Sequence, residues 1–317
     1  MRGVGGALLA AVVALTSAVV WAQEPLAVVT EIQVKRGRVE VRTAGAPDWQ
    51  TPRPLLSLRA GDEVRVIGDG RVVLVFTGGR GTQSVTAGNS PFTVQAQPGD
   101  GAADRARTVV GHVTSFLLGQ QREATYQSLS VRSVRAQPPL ILSPRDTRVL
   151  PGPLEFEWAG SERLKYRVRL LSPEGTVLWE QADLDRGPLA YPASAPALAS
   201  GARYAWELQT REHGIQRATF EVAPATDAAR VTEALAALTT AAARSYPPAT
   251  RSLLRAALLV QERLYAAARR ELVTAIAAEP EEPTLRLLLG QVYDRTGLTQ
   301  LAADEFAEAD GLTAPRP

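Results

Sequence analysis

Residues 285–309 read LRLLLGQVYDRTGLTQLAADEFAEA, and the reading of this stretch decides how the last third of the chain folds. Leucine, alanine, arginine and glutamate dominate, all strong helix formers. Shifted upstream by 34 residues, the pattern returns: Ala256 stands where Gly290 does, Leu259 where Tyr293 does, and Ala268, Leu272 and Ala275 where Ala302, Phe306 and Ala309 do. Small residues fall where paired helices must approach closely, and large ones fill the space between them. Ala234, Leu238 and Ala241 stand one further period upstream, and Pro247-Pro248 closes that helix. Residues 226–317 thus hold about two and a half repeats, near the minimum that buries a shared core.

Towards the N-terminus, residues 138–224 read as an all-β unit opened by Pro138-Pro139. Strands are predicted over 154–158, 165–171, 177–181, 203–210 and 218–222, separated by Pro and Gly turns as in a β-sandwich. Tyr166, Val168 and Leu170 alternate with Lys165, Arg167 and Arg169, which makes one face apolar and the other charged. Trp158 and Trp206 occupy strand positions that suit core tryptophans. Residues 26–97 form another all-β unit, with strand-like runs at Ile32-Gln33-Val34, Val39-Glu40-Val41, 63–67, 71–76 and Phe92-Thr93-Val94. Gly37, Gly61-Asp62, Asp69-Gly70 and Gly78-Gly79 are expected to be its turns, since glycine tolerates the positive φ of tight hairpins.

Between these units, residues 98–137 are a linker with a helix predicted over 103–118. Ala106, Val109, Val110, Val113, Phe116 and Leu117 fall at helical spacing, a stripe that packs on a neighbouring β unit or docks on a partner or a membrane surface. The fold class is multidomain, two all-β domains followed by an all-α domain.

Arg2, an apolar run from Ala7 to Val20 broken by Thr16 and Ser17, and then Trp21, Ala22 and the polar Gln23-Glu24 follow the order of a signal peptide. Residues 1–22 are expected to be cleaved, leaving a periplasmic or secreted chain; retention as a membrane anchor is the alternative, for which the run is short. No cysteine is present, which excludes disulfides, thiol nucleophiles and thiolate metal sites. The formal net charge is +2, and removal of Arg2 lowers it to +1, a poor match for nucleic acid.

Three resemblances attach to these residues. Gly37-x-Val39-x-Val41, Trp49, Leu58-x-x-Gly61-Asp62-x-Val64-Arg65, the run 71–76 and Thr77-Gly78-Gly79 resemble the FecR-like periplasmic domain, with Gly68-Asp69-Gly70 departing from its usual polar residues. Full iron-citrate regulators add a cytoplasmic segment and a membrane helix, so their signalling role is not carried over. Leu142-Ser143-Pro144, 153–158, Tyr166-Arg167-Val168, Leu178-Trp179 and Leu198-x-x-Gly201-x-x-Tyr204-x-Trp206 resemble an immunoglobulin-like or fibronectin type III module. Leu289-Gly290-x-x-Tyr293, Gly297, Ala302, Phe306 and Ala309 resemble the tetratricopeptide repeat, whereas the preceding copy has Arg255 and Arg263 where that family favours leucine and glycine.

No catalytic set is visible. His112 and His213 are the two histidines, about a hundred residues apart and without local partners. Gly78-Gly79-Arg80-Gly81 lacks the lysine-serine pair of a phosphate loop, and Gly88-Asn89-Ser90-Pro91 is a poor nucleophile elbow. The acid pair Glu155 and Glu157 and the cluster Glu279, Glu281 and Glu282 read as solvated side chains rather than as carboxylates across a cleft. No metal site or cofactor is implied. The tetratricopeptide resemblance implies a concave groove exposing Thr250, Leu253, Gln261, Thr284, Leu287, Gln291 and Asp294. That groove would take a peptide or a partner's helix, or else serve only folding and self-association. The expected function is a non-enzymatic envelope scaffold or sensor whose partners are envelope proteins or peptides. The alternative is a glycan or peptidoglycan binder using exposed aromatics such as Trp49.

Overall fold

The computed structural model describes residues 24–96, 105–123, 139–240 and 245–315. The expected signal segment, the first two residues of the predicted linker helix and Ala241 lie outside the described residues. A β-rich region comes first and a helical region follows, as the sequence implies.

Two long antiparallel strands, β1 (Ala27–Arg42) and β3 (Glu63–Phe76), dominate the first unit. With β2 (Ser57–Leu58), β4 (Thr82–Thr86) and β5 (Phe92–Thr93) they form one sheet in the order β2-β1-β3-β4, β5 pairing with β3. Gly61-Asp62 turns the chain, its Asp62 carboxylate accepting from the backbone N–H groups of Ala44 at 2.9 Å and Arg59 at 2.8 Å. Gly37 and Asp69-Gly70, expected as turns, lie inside β1 and β3 instead. Their glycines serve a close approach of two backbones: a Cβ on Gly37 would meet the Ile67 carbonyl oxygen at 2.0 Å.

Beyond the sheet, α1 (Arg105–Glu123) buries Val110, Val113 and Leu117 completely. Their neighbours include Val28, Leu55 and Val75 of the first unit together with the C-terminal helices, so the apolar stripe is used inside the molecule. Thr77-Gly78-Gly79 is the seat of this helix, because a Cβ on Gly79 would stand 2.3 Å from the Arg107 carbonyl oxygen.

The second β unit is two facing sheets. One runs β10 (Val177–Leu184), β9 (Tyr166–Leu171), β12 (Arg203–Gln209), β13 (Gln216–Val222) and β7 (Thr147–Val149). The other runs β11 (Leu189–Ala190), β8 (Glu155–Ala159) and β6 (Leu140–Ser143). Phe156 of β8 packs on Trp206 of β12 with ring centroids 4.9 Å apart, and the fully buried Trp206 donates its indole N–H to the Pro144 carbonyl at 2.7 Å.

The helical region comprises α2 (Ala225–Ala237), α3 (Pro248–Gln261), α4 (Tyr265–Ala278), α5 (Pro283–Arg295) and α6 (Thr299–Thr313). The periodic small residues meet their neighbours as the spacing requires. Ala268 and Ala302 are buried, and a Cβ on Gly290 would stand 2.4 Å from the Phe306 ring. Among the described residues no helix is long and apolar enough to cross a membrane.

Candidate functional site

A helix leaves its first N–H groups without intrahelical partners. Neither α3 nor α4 carries a side-chain cap of its own, because Pro247 and Leu264 precede them. Each receives one from a β unit. Glu31 of β1 accepts from the Thr250 backbone N–H at 2.8 Å and from its hydroxyl at 2.6 Å, which places a carboxylate at the positive end of α3. Thr147 of β7 accepts from the Ala266 N–H at 3.3 Å at the start of α4. At α5 the cap is Glu282 itself, which accepts from Thr284 N–H at 3.1 Å and also from the Ile32 N–H of β1 at 3.1 Å.

A β-bulge makes this possible. Val29 pairs with Leu74 and Glu31 with Val73, so Thr30 is an extra residue in β1. Such an insertion re-aims the side chains beside it. Glu31, fully buried, is delivered out of the sheet to the helices, and the Thr30 and Thr250 hydroxyl oxygens lie 3.1 Å apart. Arg71 of β3 reaches the other Glu31 oxygen at 2.9 Å and also donates to Gln33 at 3.2 Å.

The expectation of an open groove is corrected here. Thr250, Leu253, Thr284 and Gln291 are buried, and Leu287 is half-buried. Of the seven residues expected to line the groove, Gln261 and Asp294 stay exposed. The cause is intramolecular, since β1 lies against α3, α5 and α6 and the apolar positions join the shared core. Gln261 borders a cleft of about 230 Å³ between α1, α2 and α3, together with His112, Arg105 and Glu233. Arg230 of α2 and Glu262 after α3, which also line it, pair with each other at 2.6 Å.

The remaining polar motifs have structural partners. Glu155 pairs with Arg270 at 3.0 Å and Glu157 with Arg269, which ties β8 to α4. The Ser90 hydroxyl accepts from the Val66 N–H at 2.8 Å, and His213 Nδ1 lies 3.2 Å from the Thr210 hydroxyl within its turn. Trp49 is half-buried, with the guanidinium groups of Arg65 and Arg42 over its ring at 4.0 and 4.7 Å. Among the described residues no group of three or more histidine, aspartate or glutamate side chains is placed to hold a metal ion.

The caps supplied by Glu31 and Thr147 were not foreseeable from spacing, because donor and acceptor lie 219 and 119 residues apart. The local signal was the proline before α3 and the leucine before α4, which leave both helix starts without a capping side chain. No protein-family model matches the chain, and no curated protein aligns with it.

Proposed function

We propose that this chain is a non-enzymatic scaffold or sensor of the cell envelope, exported by its N-terminal segment, that binds protein partners through its helical repeats and β units. One observation carries the reading: the helical surface already grips an extended segment, Thr30-Glu31-Ile32, through helix-end hydrogen bonds. A surface that holds a strand of its own chain in this way has the chemistry used to hold extended peptides. Gln261 and Asp294, towards the other ends of α3 and α5, are exposed and open to a partner.

The alternative, a binder of cell-wall glycan, relied on a free aromatic face. The guanidinium groups over the Trp49 ring leave less of it for stacking a sugar, which favours the protein-binding reading.

Photo-crosslinkers placed singly at Gln261, Asp294 and Trp49 of the full mature chain, exposed to envelope extract, test the proposal. A discrete protein adduct at Gln261 or Asp294 is expected. Absence of such adducts, combined with co-sedimentation of the chain with purified cell-wall polymer that Trp49→Ala abolishes, would transfer the function to glycan binding.

A further inference from the structure

Two carboxylates share the seam between the first β unit and the helical repeats. Glu31 is fully buried and is balanced by Arg71. Glu282, 1% exposed, receives the neutral N–H groups of Ile32, the residue next to Glu31, and of Thr284. A single negative charge in this buried seam is matched by one guanidinium and two helix N-termini; a second one beside it repels the first and loses its hydration. The closed seam therefore favours a state in which the pair carries one proton.

We propose that Glu31 and Glu282 form a one-proton clasp that fastens β1 to the starts of α3 and α5, closed in mild acid and released as the proton leaves in alkali. Release bares the face that carries Thr250, Leu253, Thr284 and Gln291. Among the described residues, Arg71 on β3 is paired with Glu31, α3 presents Thr250 to it, and Glu305 of α6 is paired with Arg286 at 3.1 Å.

Burial, aided by the neighbouring Glu31 and opposed by the Thr284 and Ile32 donors, pushes the Glu282 carboxyl up to about 8. The direction of the pH effect follows. The folded value lies above the unfolded one of 4.5, so the closed form holds a proton that the open form releases between these values. The clasp is fully effective below about pH 4.5 and weakens as pH rises towards 8, where its contribution is gone. One proton corresponds to an opening equilibrium that grows by up to about tenfold per pH unit in that window.

The test uses the full mature chain, which has no cysteine, with fluorophores at Lys35→Cys and Glu308→Cys, and infrared spectroscopy of the unlabelled protein. The expected results are a protonated-carboxyl band at pH 7 that titrates away near pH 8, and a label separation that grows over the same range. In Glu282→Gln, a neutral isostere that keeps an acceptor for Ile32 and Thr284, the band is lost and the separation stays constant from pH 6 to 9. Absence of the band in the wild type, or the same pH response in the wild type and Glu282→Gln, overturns the proposal. Should Glu282→Gln not fold, the infrared titration of the wild type decides alone, with Glu31→Gln expected to move the band's titration to lower pH.

Discussion

Replacing Glu31 by alanine tests how strongly the β unit and the helices depend on each other. The substitution leaves the buried Thr250 N–H and hydroxyl without their acceptor and takes from Arg71 its carboxylate. A hydrogen bond to a charged group contributes about 1.5–3 kcal/mol, and two such donors are stranded in a residue with no exposure. Arg71 retains water, its side chain being 37% exposed, so its loss adds less than about 1 kcal/mol. Without Glu31 the Glu282 carboxyl, neutral at pH 7, ionises more readily, which acts the other way, and the balance is about 3 kcal/mol of lost stability at pH 7. With a urea slope of about 3 kcal/mol/M the midpoint falls by about 1 M.

The assay is urea unfolding of the full chain followed by tryptophan fluorescence, which reports mainly the sandwich, and by far-ultraviolet circular dichroism, which reports the helices. Both transitions should move together. Glu31→Gln keeps an acceptor and should recover about half the loss. A double-mutant cycle with Thr250→Val should show a coupling of about 1 kcal/mol or more. A loss below about 1 kcal/mol, or additive single effects, would refute the reasoning that Glu31 caps α3.

Two further perturbations probe the packing. Gly290→Val drives a side chain into the Phe306 ring and should cost about 1–3 kcal/mol in thermal or urea unfolding, part of which Phe306→Leu restores. Trp206→Phe removes the indole N–H from the buried Pro144 carbonyl and should cost about 2 kcal/mol, measured by the same unfolding curves, with the near-ultraviolet signal of the sandwich reduced.

Local patterns in the sequence announced most elements but not their assembly. The strands over 154–158, 165–171 and 203–210 were legible because Tyr166, Val168 and Leu170 alternate with charged residues, and β8, β9 and β12 form there within a residue or so. The short strands β2, β7 and β11 are not announced, since two or three residues carry no periodicity, and β4 and β6, of five and four residues, are not announced either. Gly37 and Gly70 were misread as turns because a glycine that permits close backbone approach looks, in one sequence, like a glycine that reverses the chain. The helical residues were read correctly as helix but wrongly as an open groove. Thr250 looks like a solvent-facing polar position until Glu31 of β1 supplies its acceptor, and Thr284 until Glu282, which also accepts from β1, takes its N–H in the buried seam. The Glu282 cap shows the same limit: three glutamates near a turn suggest hydration, and only the fold reveals that one of them is enclosed.

Because the helix starts are satisfied by the β units, β1, β7 and the repeats should unfold as one body near neutral pH. Residue-resolved amide hydrogen exchange on the full chain probes this, because Thr250 and Ala266 occupy first-turn positions whose N–H groups face solvent in an uncapped helix. The amides of Thr250, Ala266 and Ile32 should exchange as slowly as those of the buried core near neutral pH. Exchange of Thr250 and Ala266 at the rate of a freely solvated helix end, while the core stays protected, would contradict it.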